Sequence, residues 1–286
     1  MTFSFNVTFH TEGVTFQGVV MVVRAKKANE LVEIKRHRME PEPLLEGEMS
    51  GSVTMSRALA ASAHGLTLNE ARVMMLATCC IDPRKSPYAY AKDGYVKVRV
   101  TADEFAKLAN LEPNARGETP MAAYDGLKAG CEKLFDRRAT WRDGPLHIRL
   151  AWVWKATYHD GEGWAEVCFS PDMTPHLFML SQKFVRYRLE LARGLRSTYS
   201  VNLLRLLMTQ KDTGLLTITL EKFRHAMEVP EVYRFADIKR RAILLAIKEL
   251  EEKADLLIQC QEIKRGRSVH SLRFTFIPNP NKQAPA

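Results

Sequence analysis

From residue 57 onward the chain switches between a hydrophobic period of about 3.6 and a period of two, and the order of the switches predicts its elements. Apolar residues recur at helical spacing from Glu70 to Ile81, behind Leu66 to Asn69, where Asn69 is placed to cap the helix. Tyr95 to Val100 alternates as a short strand. Thr101 and Glu104 then make a capping-box pair that opens a helix over Phe105 to Leu111. After a polar loop from Glu112 to Glu118, Thr119 and Pro120 suit the N-cap and first residue of a helix reaching Arg138. Its apolar face is Tyr124, Leu127, Cys131 and Leu134, and its other face carries Lys128, Lys133, Arg137 and Arg138. Leu146 to Tyr158 alternates strongly, His159 to Gly163 supplies turn chemistry and Trp164 to Phe169 returns, which predicts a hairpin. Helices followed by a hairpin in this order describe a winged helix, a helix-turn-helix whose third helix can enter a DNA groove beside a β-ribbon wing.

The order recurs. Tyr199 and Ser200 begin a helix over Val201 to Met208, Leu215 to Ile218 makes a short strand, and Thr219, Glu221 and Phe223 begin a helix much as Thr101, Glu104 and Phe105 do. A long helix from Phe235 to Ala254 follows, with Phe235, Ile238 and Lys239 aligned on Tyr124, Leu127 and Lys128. A hairpin closes the unit: Leu257 to Ile263 and Val269 to Ile277 flank a turn over Lys264 to Arg267. One supersecondary unit used twice is an internal duplication. The expected fold class is therefore α+β, two tandem winged-helix domains over residues 57–180 and 181–286, joined around Ser181 to Lys183. Residues 1–56 are expected to be an extension and linker. Phe3, Phe5, Val7 and Phe9 alternate as a strand would, Met39 to Met49 is rich in proline and glutamate, and no function is assigned to them.

Composition narrows the class. A chain of 286 residues, 46% apolar and 26% charged, is long enough for two cores and too hydrophobic for disorder. Five cysteines, two of them adjacent at Cys79 and Cys80 and none in a Cys-x-x-Cys pair, argue against a disulfide framework or a four-cysteine zinc site and for a reducing cytoplasm. The apolar run Val19 to Val23 is too short to cross a bilayer, and its basic residues Arg24, Lys26 and Lys27 follow it rather than precede it. Neither a membrane partner nor a secretory signal is expected. The net charge of +9 is unevenly placed: residues 1–180 carry 22 basic and 22 acidic side chains, residues 181–286 carry 20 and 11. The excess lies in the last third, where it would attract a polyanion.

Catalytic templates fail one by one. The sequence has no Gly-Lys dipeptide for a phosphate loop, no Gly-x-Gly-x-x-Gly, no Gly-x-Ser-x-Gly and no His-Glu-x-x-His. Its eight histidines include no His-x-His pair, which a metal-dependent nickase would need. No enzyme, cofactor or metal is expected. Nucleic-acid chemistry fits better: Arg234 to Arg241 brings Lys239, Arg240 and Arg241 into the first turns of the long helix, where a recognition helix points at base edges. Arginine suits bidentate contact with guanine O6 and N7. Lys264, Arg265 and Arg267 sit at the second hairpin's tip, a place from which cations meet phosphate or the minor groove.

Several strings together carry a family resemblance: Leu66 to Glu70 with its apolar helix, Phe184 to Leu189, Arg196 to Val201, Phe235 to Arg240 and Ile263 to Arg267. The chain resembles the plasmid replication initiator (Rep) proteins that bind iterons through two winged-helix domains, over residues 57–277. It departs from the family's Arg-Leu-Tyr-Glu-Leu-Leu continuation at Asn202 to Leu207. The resemblance implies a protein that binds direct repeats in double-stranded origin DNA, works with host initiator and helicase proteins, exchanges between homodimer and monomer, and represses its own gene as a dimer. It implies main recognition by residues 181–286, through Lys239, Arg240 and Arg241 with Arg234 beside them, and wing contacts by Lys264, Arg265 and Arg267. Dimerisation and auxiliary DNA contacts fall to residues 57–180, with Lys128, Lys133, Arg137 and Arg138 as candidates. The strand Leu146 to Tyr158, with Trp152, Trp154 and Tyr158, reads either as a dimer edge or as core filling. The competing reading is a tandem winged-helix transcriptional repressor with no role in opening an origin.

Overall fold

The computed structural model describes residues 3–5, 10–11, 14–15, 21–23, 51–87, 91–92, 95–178, 180 and 184–279. The expected linkers at Met39 to Met49 and Ser181 to Lys183 lie outside the described residues. Two compact units divide the chain after Glu40. In the first, β1 (Phe3–Phe5) pairs antiparallel with β4 (Met21–Val23), and β2 (His10–Thr11) with β3 (Val14–Thr15).

The second unit holds both winged helices. It opens with β5 (Ser52–Ser56) and the short α1 (Arg57–Ala60), capped by the Ser56 hydroxyl, which accepts the Leu59 N–H. The first winged helix continues through α2 (Leu68–Cys79), β6 (Ala91–Lys92), β7 (Tyr95–Thr101), α3 (Ala102–Ala109) and α4 (Met121–Glu132). Four strands follow: β8 (Arg138–Asp143), β9 (Leu146–Ala151), β10 (Val153–His159) and β11 (Trp164–Phe169). After α5 (Thr174–Leu177) come β12 (Phe184–Arg188), α6 (Thr198–Met208), β13 (Leu215–Thr219), α7 (Leu220–Ala226), a long helix, and the hairpin β14 (Leu256–Arg265) with β15 (Ser268–Pro278).

The duplication is plain in the sheets. One has strand order β10-β11-β7-β6 and the other β13-β15-β14. In each, the last strand lies between its hairpin partner and the strand that precedes the helix-turn-helix, so Thr101 faces Trp164 and Thr219 faces Ser271. In both repeats that threonine caps the next helix: Thr101 Oγ1 accepts the Glu104 N–H at 3.3 Å, and Thr219 Oγ1 accepts that of Lys222 at 3.4 Å. Leu127 and Ile238, aligned in the sequence, are both fully buried.

Several boundaries differ from the sequence expectations. Thr67, not Asn69, caps α2, because the Glu70 carboxylate returns to the Thr67 N–H at 2.8 Å and completes a capping box. Pro120 is the N-cap of α4 and makes no side-chain cap. That helix stops at Glu132, followed by a 3-10 turn (Leu134–Asp136) that buries Leu134, so Arg137 and Arg138 are not on it. The expected strand over Leu146 to Tyr158 is two strands broken at Trp152, whose indole is buried and donates to the His64 carbonyl at 3.0 Å. That indole fills the core and is unavailable to a dimer edge. Ser52–Ser56, expected in the extension, pairs with Phe184–Arg188, expected at the start of the second domain. This sheet ties the segment after residue 183 to the first winged helix. Helix α6 then packs against both α2 and the last part of the long helix, Leu245–Lys253, with nine of its eleven residues buried.

Close helix contact in the first repeat depends on two glycines. A Cβ at Gly126 would lie 2.5 Å from Phe105 Cε1, and one at Gly130 would lie 2.9 Å from the Asn69 carbonyl oxygen. Their absence of side chains lets α4 lie against α3 and α2.

Candidate nucleic-acid interface

The long helix of the second repeat begins after the N-cap Arg234 as α8 (Phe235–Asp237), is wound as a π-helix over Ile238–Leu244, and ends as α9 (Leu245–Lys253). Ile238, Ala242, Ile243, Ala246 and Leu250 are buried on one side. The other side exposes Arg240 and Arg241, with Arg234 exposed at the start. One carboxylate oxygen, Asp237 Oδ1, lies 3.7 Å from Arg240 Nη2 and 3.9 Å from Arg241 Nε. Arg241 also sits over the Tyr233 ring, 5.2 Å from its centroid, with Nη1 3.3 Å from the hydroxyl. The phenol and then Asp237 favour the charged guanidinium and raise its pKa. Lys239 is turned away toward the wing: Nζ donates to Glu262 Oε1 on β14 at 2.8 Å, which raises the lysine's pKa. Of the three cations expected to read bases, two face outward and the third joins helix to wing.

The wing turn falls at Gly266 and Arg267, between Lys264 and Arg265 on β14 and Ser268 on β15. Lys264, Arg265 and Arg267 are all exposed and bond through their side chains to none of the described residues. Helix start and wing tip thus present two groups of cations on one domain.

The cations of the first repeat are differently committed. Lys128 donates to Asp160 Oδ1 at 3.0 Å and lies over Tyr158, while Lys133 is exposed at the C-cap of α4. Arg138 Nη1 donates to the carbonyls of Phe135 and Arg137, at 2.7 and 3.0 Å. Arg137 grips Glu70 bidentately, Nε to Oε2 at 2.8 Å and Nη2 to Oε1 at 2.9 Å, and the Glu70 side chain is only 2% exposed. Arg137 therefore neutralises a buried carboxylate that also caps α2, a structural task the spacing did not reveal. The exposed face of α4 carries Asp125 and Glu132 beside Lys128, so it has no net positive charge. Hairpin β8–β9 exposes Arg142, His147 and Arg149, which the sequence reading did not single out.

Behind the long helix, polar contacts anchor it to the segment between β12 and α6. Glu249 Oε1 accepts the Arg196 N–H at 2.8 Å, and Lys253 Nζ donates to the Gly194 carbonyl at 2.6 Å and to Glu249 at 2.7 Å. The turn between α7 and α8 is pinned by Arg224, which donates to the carbonyls of Pro230, Glu231 and Tyr233. Deeper, Arg205 of α6 donates to the carbonyls of Ser62 and Ala226. Burial pulls its pKa down to about 10 against the opposing effect of Glu228. It borders a cavity of about 30 Å³, water-sized, lined also by His64, Trp152 and Tyr187.

Among the described residues no three histidines, cysteines or acids converge as a metal site would need, and no helix is long and apolar enough to cross a membrane. The five thiols are free, and burial pushes their pKa values up, to about 12 for Cys80 and Cys131 and about 11 for Cys260.

A solved structure described as the Pi initiator protein in complex with iteron DNA matches with a TM-score of 0.64 at 18% identity, covering 82% of this chain and 99% of that one. At that identity the likeness is one of fold. Domains 2 and 3 of RctB match with a TM-score of 0.41 at 11% identity over 79% of this chain and 85% of that one. The WH1 domain of the replication protein MSBI1.176, described as isolated from a multiple sclerosis patient, matches with 0.27 at 24% identity over 38% and 77%. Two family descriptions match the sequence itself: "Initiator Replication protein, WH1" over residues 52–208 and "Initiator Rep protein, WH2" over residues 219–276. The first begins at β5 and runs through α6. Matched over most of its length, the chain belongs to the initiator replication protein family and is built from that family's WH1 and WH2 winged-helix domains.

Proposed function

We propose that this protein starts plasmid replication by binding repeated sites in double-stranded origin DNA, with WH2 as the main reader. The observation that carries the proposal is the pairing, on one domain, of outward Arg240 and Arg241 at the start of the helix-turn-helix's second helix with the cations of the wing tip. A helix start of this kind reaches base edges, and a basic wing follows the backbone. The likeness to a fold solved on iteron DNA supports the same reading. WH1 takes the auxiliary role, with Lys128, Lys133 and Arg138 as secondary contacts and β10, an edge strand, as a surface for self-association. In this reading the protein is a cytoplasmic binder without catalysis of its own. It exchanges between homodimer and monomer, recruits host initiator and helicase proteins, and represses its own gene.

Footprinting on the DNA adjoining the gene tests the function. Protection of tandem direct repeats is the expected result. Protection confined to one inverted repeat in a promoter would replace the initiator by a repressor. Nicking or covalent attachment on supercoiled DNA with a divalent metal would make it an enzyme.

A further inference from the structure

Within the cationic start of the recognition helix stands one acid, and its position is not explained by phosphate binding. A surface selected only for affinity to a polyanion gains nothing from a carboxylate between two arginines, since like charge repels the backbone. Asp237 is the third residue of the helix, where a negative charge also suits the helix dipole. That role would be met by a carboxylate touching only the helix end. Here one oxygen instead lies within 4 Å of two guanidinium groups, those of Arg240 and Arg241.

The second guanidinium is held from its other side as well. Tyr233 lies under Arg241 and meets it through the hydroxyl, and the Tyr233 carbonyl is fixed by Arg224 at 2.9 Å. The sequence Arg224, Tyr233, Arg241, Asp237, Arg240 is thus a continuous chain of contacts from the helix-turn-helix turn to the exposed helix start. An arginine on such a support keeps its planar fork in one orientation and loses less freedom on binding.

We infer that Asp237 is a specificity-determining positioning residue, which aligns Arg240 and Arg241 for base edges and makes phosphate a poor substitute for them. The inference rests on the DNA-reading role proposed above. On the intended site, two oriented guanidinium groups meet guanine-type acceptors. On random DNA a phosphate drawn to either guanidinium must approach the Asp237 carboxylate that lies within 4 Å of both, and the two anions repel. Asp237 therefore costs more on random DNA than on the site.

The test uses the full chain and two duplexes: one selected by the wild-type protein from a randomised library, and a shuffled duplex of the same composition. Affinities for both are measured by fluorescence anisotropy, with melting temperature recorded alongside. Asp237→Asn should strengthen binding to the shuffled duplex and lower the ratio of selected to shuffled affinity about tenfold, the scale of one loosened base contact. Tyr233→Phe, which keeps the ring and removes the hydroxyl, should weaken the selected duplex several-fold and leave the shuffled one unchanged. An unchanged ratio in both variants at wild-type melting temperature would overturn the role of Asp237 while leaving DNA recognition intact. A wild-type chain that enriches no sequence would overturn the DNA-reading role itself, and this inference with it.

Discussion

Glu228 accepts the backbone N–H of His64 at 2.8 Å, and the same oxygen accepts that of Gly65 at 3.1 Å. Glu228 lies in the turn between α7 and α8 with a left-handed backbone, φ 55°, so its side chain leaves WH2's helix-turn-helix and reaches the loop before α2 in WH1. The contact is a charge-assisted clasp between the domains. Glu228→Ala should lower unfolding free energy by about 1–3 kcal/mol, the cost of leaving such donors without a partner. Urea denaturation followed by circular dichroism measures it. A loss below about 0.5 kcal/mol would show that water replaces the carboxylate at no cost.

His64 itself predicts a pH dependence. Its ring is buried edge-on to Trp152 with Nε2 2.9 Å from the Leu59 carbonyl, and burial, then the charge of Arg205, hold its pKa well below the ordinary 6.5. The unfolded chain takes up a proton near 6.5 and the folded one does not, so acid favours unfolding. Stability should be flat above about pH 7 and fall as pH drops below about 6.5. Burial shifts His176 the same way and adds to the slope. His64→Gln should flatten the stability profile, and an unaltered slope in that variant would assign the proton uptake elsewhere.

Arg137 and Lys264 should behave as opposites. Arg137→Ala strands the buried Glu70 carboxylate and should cost about 3 kcal/mol of stability, with DNA affinity per folded molecule unchanged. Lys264→Ala should leave stability alone and flatten the salt dependence of DNA binding by about one unit. Denaturation curves paired with binding titrations over a range of salt separate the two.

Arg240→Ala should weaken binding to a selected duplex by roughly 10- to 100-fold and to a shuffled one by much less, as the loss of a base contact requires. Lys239→Ala should act differently, because its ammonium is bonded to Glu262 on the wing strand. It should weaken both duplexes modestly, whereas Glu262→Gln, which removes a negative charge and frees the ammonium, should not weaken the shuffled one. A Lys239 variant that lost specificity as Arg240 does would restore it to direct base reading.

What the sequence made legible was local. Thr101 and Glu104 lie three residues apart, so their capping box could be read from spacing alone, and the helix–strand order of both repeats followed from hydrophobic period. Contacts between distant segments were not legible. Glu70 and Arg137 are 67 positions apart, and nothing in either neighbourhood marks the pair, so Arg137 read as one more surface cation. The same holds for Ser52–Ser56 and Phe184–Arg188, whose pairing moves a strand into the first domain's structure. At the recognition helix the cations were evident, but their orientation depends on Asp237, Tyr233 and Glu262, residues whose types do not announce a role.

The π-wound stretch Ile238–Leu244 contains the outward Arg240 and Arg241 and precedes the anchor made by Glu249 and Lys253. A π turn holds one residue more than an α turn, and such turns behave as insertions into an otherwise regular helix. Chain length, as well as side-chain identity, is therefore a variable in this helix. Losing a residue here would let the turn tighten to α geometry with the anchor still seated, while moving Arg240 and Arg241, which sit within the turn, to a new bearing around the axis. Elsewhere in the helix a deletion would rotate buried positions such as Ala246 and Leu250 out of the core. In this segment a change of length can re-aim the binding surface over the DNA while leaving the anchored half of the helix in its seat.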